Sequence, residues 1–147
     1  MNEHSFVDAI HRRLSGDVHR WKINARFVKG VPDAWYSGPG GDVWVEYKYL
    51  PNQPKRSTNI GLSANQIHWL NHRYNEGRVV AVIVGTPKGA YVLTDQQWAD
   101  RLNPTVTEQT DYKGAALWIE HQTLSTCLTT PSTNQCDASP ASPDSRT

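Results

Sequence analysis

The chain has 147 residues, a net charge of +1 and 37% apolar residues, so it is long enough for one domain with a modest core, in which six tryptophans and six tyrosines supply much of the buried area. No apolar run approaches the ~18 residues of a membrane helix, which excludes a transmembrane protein, and the charged N-terminus does not resemble a secretion signal. Cys127 and Cys136 both lie in a polar C-terminal segment where a disulfide would stabilise little, so we expect a cytoplasmic protein in a reducing compartment.

The small net charge conceals an asymmetry along the chain. Residues 1–94 contain 12 Lys and Arg against 7 Asp and Glu, whereas residues 95–147 contain 3 against 7. Clustered basic side chains suit a partner with a phosphate backbone, and the alternative is an ordinary solvated surface. His11 and His19 flank basic residues, and we expect them to add to a phosphate-facing surface. The candidates for DNA binding are Arg12, Arg13, Lys22, Arg26, Lys55 and Arg56.

The first predicted element is a helix over residues 3–15, because apolar residues recur there at helical spacing up to Gly16. Glu3 precedes Phe6 and Ile10 by three and seven positions, so we expect it on the same buried side of the helix. A carboxylate in that place is unusual for an amphipathic helix. The alternative is that Glu3 only stabilises the positive end of the helix dipole.

Three strands are predicted next. Residues 21–28 alternate basic or polar with apolar side chains, which is typical of a half-buried strand with a basic face. Residues 33–37 and 42–50 flank the turn signal Gly38-Pro39-Gly40-Gly41 and predict a hairpin. We expect a four-residue loop, because a two-residue Pro-Gly turn is not a preferred hairpin type.

The later elements complete an α/β fold with a mixed central sheet flanked by helices. Ser63 is placed to cap the second helix. The apolar run at 79–84 predicts a central strand covered on both faces. In chain order, the predictions are a loop over 51–62, a helix over 64–75, strands over 79–84 and 91–93, a short capped helix from Thr94 through Leu102, a loop over 103–114, a strand or helix over 115–120, and a disordered polar tail over 125–147 after a domain spanning 1–124.

The hairpin carries the residues with the clearest chemistry. Glu46 and Lys48 are two positions apart on one strand, so their side chains leave the same face. Folding the hairpin about Pro39-Gly40 sets Asp33 directly opposite Glu46, with Cβ atoms roughly 4.5–5.5 Å apart. Two adjacent carboxylates repel unless they share a proton or a cation, and their oxygens suit Mg²⁺. A neighbouring lysine can hold a water or the attacked phosphate while the ion lowers the pKa of that water.

This spacing resembles the PD-(D/E)XK nuclease superfamily, with Pro32-Asp33 as the first half of its motif and Glu46-Tyr47-Lys48 as the second. The resemblance covers about residues 1–93. The stretches Gly30-Val31-Pro32-Asp33 and Leu62-Ser63-Ala64-Asn65-Gln66 look most like the virus-type replication-repair nucleases and the archaeal Holliday-junction resolvases. The resemblance implies a restriction-endonuclease-like core. It also implies that Asp33, Glu46, the Tyr47 carbonyl and Glu3 serve a metal ion, and that Gln66 supports the site beside the catalytic lysine, Lys48.

The predicted function is therefore Mg²⁺-dependent endonucleolytic hydrolysis of DNA, with Mn²⁺ as a substitute. The resemblance further implies branched DNA, such as a junction or flap, as the substrate and a phage-type source. Because one metal centre per chain cuts one strand, symmetric cutting of two strands predicts a homodimer. One rival is a restriction-type endonuclease, which we disfavour because so short a core leaves little room for elements that read bases. A second rival is a nucleic-acid-binding module without activity, although a pure binder has no need for adjacent carboxylates. A third is an ordinary turn aspartate and a solvated Glu46–Lys48 ion pair.

Overall fold

The computed structural model describes residues 1–126 of the chain. Nine elements follow one another along this part of the chain. They are helix α1 (Glu3–His11), strands β1 (His19–Lys22), β2 (Ala34–Gly38) and β3 (Gly41–Tyr49), helix α2 (Ala64–Asn75), strands β4 (Val80–Thr86) and β5 (Gly89–Leu93), a 3₁₀ turn (Gln97–Ala99) and helix α3 (Tyr112–Leu124).

The five strands form one sheet in the order β1-β2-β3-β4-β5. The β3–β4 pair is parallel and the other three pairs are antiparallel, so the predicted mixed sheet is confirmed. Helix α2 makes the crossover that a parallel pair requires. Every residue of β4 is buried, as the apolar run predicted, because β4 has a strand on each side and helices over both faces.

The two faces of the sheet carry different layers. Helices α1 and α3 share one hydrophobic cluster with the inward side chains of β2 and β3, among them Tyr36, Val45 and Tyr47. On the other face Leu70 of α2 packs with alternate residues of β4 and with Trp98. We call these the α1/α3 face and the α2 face. Side chains alternate along β3, so Trp44, Glu46 and Lys48 belong to the α2 face.

The hairpin register is as predicted, but its loop is not. Trp35 pairs with Trp44, the register that places Asp33 opposite Glu46. Gly38 pairs with Gly41, so the loop has two residues and the expected four-residue loop is wrong. The turn is held from outside, because the Gly40 amide donates to the Thr123 carbonyl of α3 at 2.7 Å. This bond joins residues far apart in the chain, so the preferences of the turn residues alone cannot predict it.

Other predicted boundaries are also corrected. Helix α1 ends at His11 and not at residue 15, because Arg13 and Leu14 bond three residues back and tighten the chain out of the helix. The strand predicted at 21–28 is β1, which is four exposed residues long, and Phe27 beyond it is 98% exposed. Glu3 is largely exposed at the start of α1, but it lines a cavity together with Val7 and His11 of the same helix face.

In the C-terminal part, the helix predicted through Leu102 is only a 3₁₀ turn, because Asp95 and Gln96 adopt positive φ and interrupt it. The loop predicted over 103–114 extends only to residue 111, and the strand or helix predicted over 115–120 is α3, which begins at Tyr112 with Asp111 as its N-cap. The predicted tail from 127 onward, with both cysteines, lies outside the described residues. Within the described residues no helix is long and apolar enough to cross a membrane.

Close contact between α1 and the sheet gives a test of this packing. A Cβ added at Gly85 of β4 would lie 2.7 Å from ring atoms of buried Phe6, whereas a Cβ at Gly16 would meet nothing within 4 Å. Gly85→Ala should lower the free energy of unfolding by about 1–3 kcal/mol through overpacking. Gly16→Ala should change it little. Urea denaturation of both variants checks this, and equal stability of the two would contradict the packing of Phe6 on β4.

Candidate active site

Asp33 lies directly before β2 and faces Glu46 across the hairpin, as the register of β2 and β3 requires. Its Oδ2 accepts a hydrogen bond of 3.0 Å from the Tyr47 amide. This bond fixes the carboxylate against β3 beside Glu46. The structure thus brings the two predicted acids together at the open end of the hairpin.

Glu46 is the buried member of the pair, with 1% of its surface exposed. Its Oε1 accepts a hydrogen bond from Gln66 Nε2 and lies 2.9 Å from Lys48 Nζ. Its Oε2 is buried without a hydrogen-bond partner among the described residues. The pKa of Glu46 is raised to about 7, mainly by burial and also by the charge of Asp33, while the bond to Lys48 and its charge oppose the rise. Desolvation outweighs the lysine because a buried carboxylate loses its water on all sides.

Gln66 is held by the cap of α2. Its Oε1 accepts from the Ser63 amide at 2.9 Å, and its own amide donates to Ser63 Oγ at 3.2 Å, which completes a capping box. With Oε1 occupied in this way, Nε2 is the group left to donate to Glu46. The supporting role predicted for Gln66 therefore has a geometric basis. The sequence signal was the Ser-x-x-Gln pattern at the start of the helix.

Lys48 projects beside Glu46 with 19% of its side chain exposed. It is two positions further along β3, on the same face. Its ammonium group is thus partly open to solvent while bound to a buried carboxylate. A group in this position can reach an anion that approaches the two acids from outside.

Glu3 lies near the pair without joining it. It lines a cavity of about 250 Å³ together with Asp33, Lys22 and His11. Burial raises the pKa of Glu3 above its ordinary value, Lys48 lowers it, and Asp33 adds a smaller rise. Within residues 1–126 no three Asp, Glu, His or Cys side chains gather closely enough to hold a metal ion. The compact part of the site therefore consists of Asp33 and Glu46 alone.

A buried polar chain behind the site was missed by sequence reasoning. Tyr47 turns its side chain to the α1/α3 face, where its hydroxyl meets that of Tyr36 at 2.6 Å, and Tyr36 meets His11 Nε2 at 2.7 Å. Burial lowers the pKa of His11 to about 4, so its ring is neutral, and the prediction that it faces phosphate is wrong. The available signal was its position four residues after Val7, on the inner face of α1.

The predicted DNA-binding residues are spread over several surfaces. Lys22 lines the cavity beside Asp33, and Arg26 is exposed in the segment that leads from β1 to Asp33. Lys55 and Arg56 are exposed on the loop after β3. Arg13 lies 5.8 Å from the Tyr112 ring and donates to the Ala9 carbonyl, so it serves the packing of α1 and α3. Arg12 is exposed at the same end of α1, nine residues from Glu3.

Comparison with known proteins bears on the fold. No protein-family model matches the chain, and no curated protein matches it. Among solved structures, the chain is similar to Hjc, a Holliday junction resolvase from the archaeal hyperthermophile Archaeoglobus fulgidus. The TM-score is 0.53 and the identity 14%, over 80% of this chain and 97% of that chain. The predicted resemblance to Holliday-junction resolvases is thus confirmed at the level of the fold.

The raised pKa of Glu46 predicts how stability depends on pH. Between about pH 4.5 and 7 the native state keeps a proton that the unfolded chain has released, so this residue makes stability fall as pH rises. Glu46→Gln removes this titrating group. The free energy of unfolding of the variant, taken relative to that of wild type at the same pH, should therefore rise by up to about 3 kcal/mol between pH 4.5 and 7. Urea denaturation in EDTA measures it.

Asp42→Asn is the matched control for that measurement, because exposed Asp42 lies on the same strand and face. The difference in free energy of unfolding between Asp42→Asn and wild type should stay the same across this pH range. A pH-independent difference for Glu46→Gln would show that the buried carboxylate is ionised throughout.

Proposed function

We propose that the protein is a divalent-metal-dependent endonuclease that hydrolyses phosphodiester bonds in DNA. The observation that carries the proposal is the buried Glu46 carboxylate, whose Oε2 has no hydrogen-bond partner within residues 1–126 although it lies beside a second carboxylate. A buried polar atom left unpaired is costly, and a cation is the group that both acids would accept. The likeness of the fold to a Holliday junction resolvase supports the same conclusion.

The residues present fit a magnesium ion. Mg²⁺ is commonly held by one or two carboxylates and keeps several waters, so a site with two acids is sufficient. Asp33, Glu46 and the Tyr47 carbonyl would hold the ion, with Glu3 near enough to act through charge. When bound, Mg²⁺ would supply an acidified water as nucleophile and would neutralise charge on the phosphate; Mn²⁺ would serve as well.

The side chains around the acids have separate roles in this proposal. Lys48 places a positive charge where negative charge develops on the attacked phosphate. Its second effect is to favour the ionised form of Glu46, which the ion requires. Gln66 orients the Glu46 carboxylate through the capped start of α2. The Tyr47 amide does the same for Asp33.

Branched DNA is the proposed substrate and a homodimer the proposed assembly. Hjc, which has a similar fold, is a Holliday junction resolvase. The domain is small, which leaves little room for elements that read bases, so selectivity would rest on DNA shape and phosphate positions. Each chain supplies one site, and one site cuts one strand. Symmetric cutting of two strands therefore calls for a second copy, most simply by two-fold pairing.

The first test concerns the metal and the acids. Cleavage of DNA should require Mg²⁺ or Mn²⁺ and stop in EDTA, and Ca²⁺ should support DNA binding without cleavage. Asp33→Asn should abolish cleavage. Gln66→Ala should lower metal affinity or cleavage by about 10–100-fold, as is usual for a group that orients a metal ligand. Gel assays and calorimetric titration with Mg²⁺ measure these effects.

Asp42→Asn is the control for the acids, since Asp42 is on the same hairpin but exposed and bonded to Ser37. It should cleave as wild type does. Full cleavage in excess chelator, or normal cleavage by Asp33→Asn, would refute the proposed function.

The second test concerns substrate and assembly. In competition, a four-way junction should bind more tightly than linear duplex of equal length, and light scattering should give the mass of a dimer. Binding should weaken steeply with salt, and Lys55→Ala and Arg56→Ala should each reduce the slope of log K against log salt concentration by about one. Lys113→Ala, which changes a residue of α3, should leave that slope unchanged. A monomer that cuts junction and duplex equally would overturn this part while leaving the metal chemistry intact.

A further inference from the structure

Four tryptophans form a continuous row across the α2 face of the hairpin region. Trp21 of β1 pairs with Trp35 of β2, which pairs with Trp44 of β3. The Trp35 and Trp44 rings are 6.1 Å apart, and Trp44 and Trp69 of α2 are 5.3 Å apart. We call this row the tryptophan stripe. His19 extends it, with its ring 5.9 Å from Trp21 and 6.2 Å from Trp35.

The stripe begins next to the proposed catalytic acids. Trp44 is two residues before Glu46 on the same face of β3, and Trp35, which pairs with Trp44, is two residues beyond Asp33. Two residues of strand span roughly 6–7 Å. A polymer strand bound at the acids would therefore pass over the stripe within one nucleotide or two.

The stripe is open to solvent to a degree unusual for tryptophan. Trp21 is 60% exposed, and Trp35, Trp44 and Trp69 are each half-buried. By contrast Trp98, which packs in the core, is 1% exposed. Helix α2 covers β4 but leaves the β1 and β2 part of this face uncovered. Trp44 and Trp69 pack partly on the core cluster of the α2 face, and their open edges continue the exposed surface of Trp21. An aromatic surface left open in this way is characteristic of a binding surface.

The charges around the stripe identify its occupant. Arg26 and Lys29 are exposed in the segment after β1, and residues 19–30 contain no acidic residue, whereas Arg20 and Lys22 alternate with Trp21 and turn towards α1. At the other end Arg73, which is paired with Glu76, lies 5.5 Å from the Trp69 ring, and with Arg78 it borders a cavity of about 600 Å³ that Trp44 and Trp69 also line. Aromatic faces flanked by cations match a chain of nucleobases joined by phosphates.

A second copy of the chain fits this surface less well. A two-fold interface places the same patch on both partners, so it would bring two basic segments together. It would also cover the face that carries the acids. Polyanion binding avoids both difficulties.

We propose that the tryptophan stripe is a stacking platform for unpaired nucleotides, so that the protein holds a single-stranded segment of DNA beside its cleavage site. This proposal rests on the proposed nuclease function for the identity of the nucleic acid. It goes beyond it in naming the feature of a branched substrate that is recognised: bases freed from pairing near the branch point. Duplex contacts would then depend on phosphates alone.

The experiment measures binding in EDTA, where no cleavage can occur. The probes are an oligothymidylate of about 12 nucleotides and a blunt duplex of equal length. Wild type should bind the single strand with quenching of its tryptophan fluorescence. Trp21→Ala should weaken single-strand affinity about tenfold and leave duplex affinity within about twofold, because stacking on one base contributes about that much. Trp21→Phe, which keeps an aromatic face, should restore most of the affinity.

Leu117→Ala is the matched control, because Leu117 is 51% exposed on α3, on the far side of the sheet. This variant should bind the single strand as wild type does. Unchanged single-strand binding by Trp21→Ala would overturn the proposal, as would equal losses on single strand and duplex. If Trp21→Ala halved the molecular mass of the protein in solution and left DNA binding unchanged, the stripe would be an interface between copies of the chain, and the proposal would be overturned. A wild type that binds the single strand but cuts no DNA with Mg²⁺ would refute the nuclease function and leave the platform standing.

Discussion

A carboxylate buried with only one of its oxygens satisfied is the constraint around which this fold is arranged. Glu46 lies in the middle of β3, the central strand of the sheet, at a place where an apolar residue would be more stable. Lys48 and Gln66 both bind its Oε1, whereas its Oε2 has no partner among the described residues. Under the proposed function, this loss of stability is accepted because a metal ion would use the free oxygen.

The first turn of α2 links the two halves of the site. Gln66 uses one end of its amide in the helix cap and the other on Glu46. The segment that leads to Asp33 contacts the same turn: Gly30 has a φ of +84°, and a Cβ there would overlap the Asn65 carbonyl. Only glycine permits both the backbone conformation and the approach. Movement of α2 would therefore disturb both acids together.

The parts of the molecule set by local pattern could be predicted from sequence, and those set by distant contacts could not. The paired Trp35 and Trp44 follow from alternation and a turn, and α2 follows from its cap and apolar spacing. The two-residue turn, the inward side chain of His11 and helix α3 depend on partners far along the chain. For the site, Asp33, Glu46, Lys48 and Gln66 could be grouped beforehand, whereas Tyr36 and the orientation of the Tyr47 side chain appear only once the layers are known.

Helix α3 shows why these distant contacts matter for chemistry. It lies beyond the residues on which the family resemblance rested, and its Thr123 carbonyl binds the Gly40 amide at the hairpin turn. The turn fixes the register, and a slip of one residue would send every side chain of a strand to the opposite face. Glu46 would then enter the apolar α1/α3 layer and Tyr47 would leave it. The position of the two acids is thus determined from the opposite end of the hairpin, by packing on the α1/α3 face.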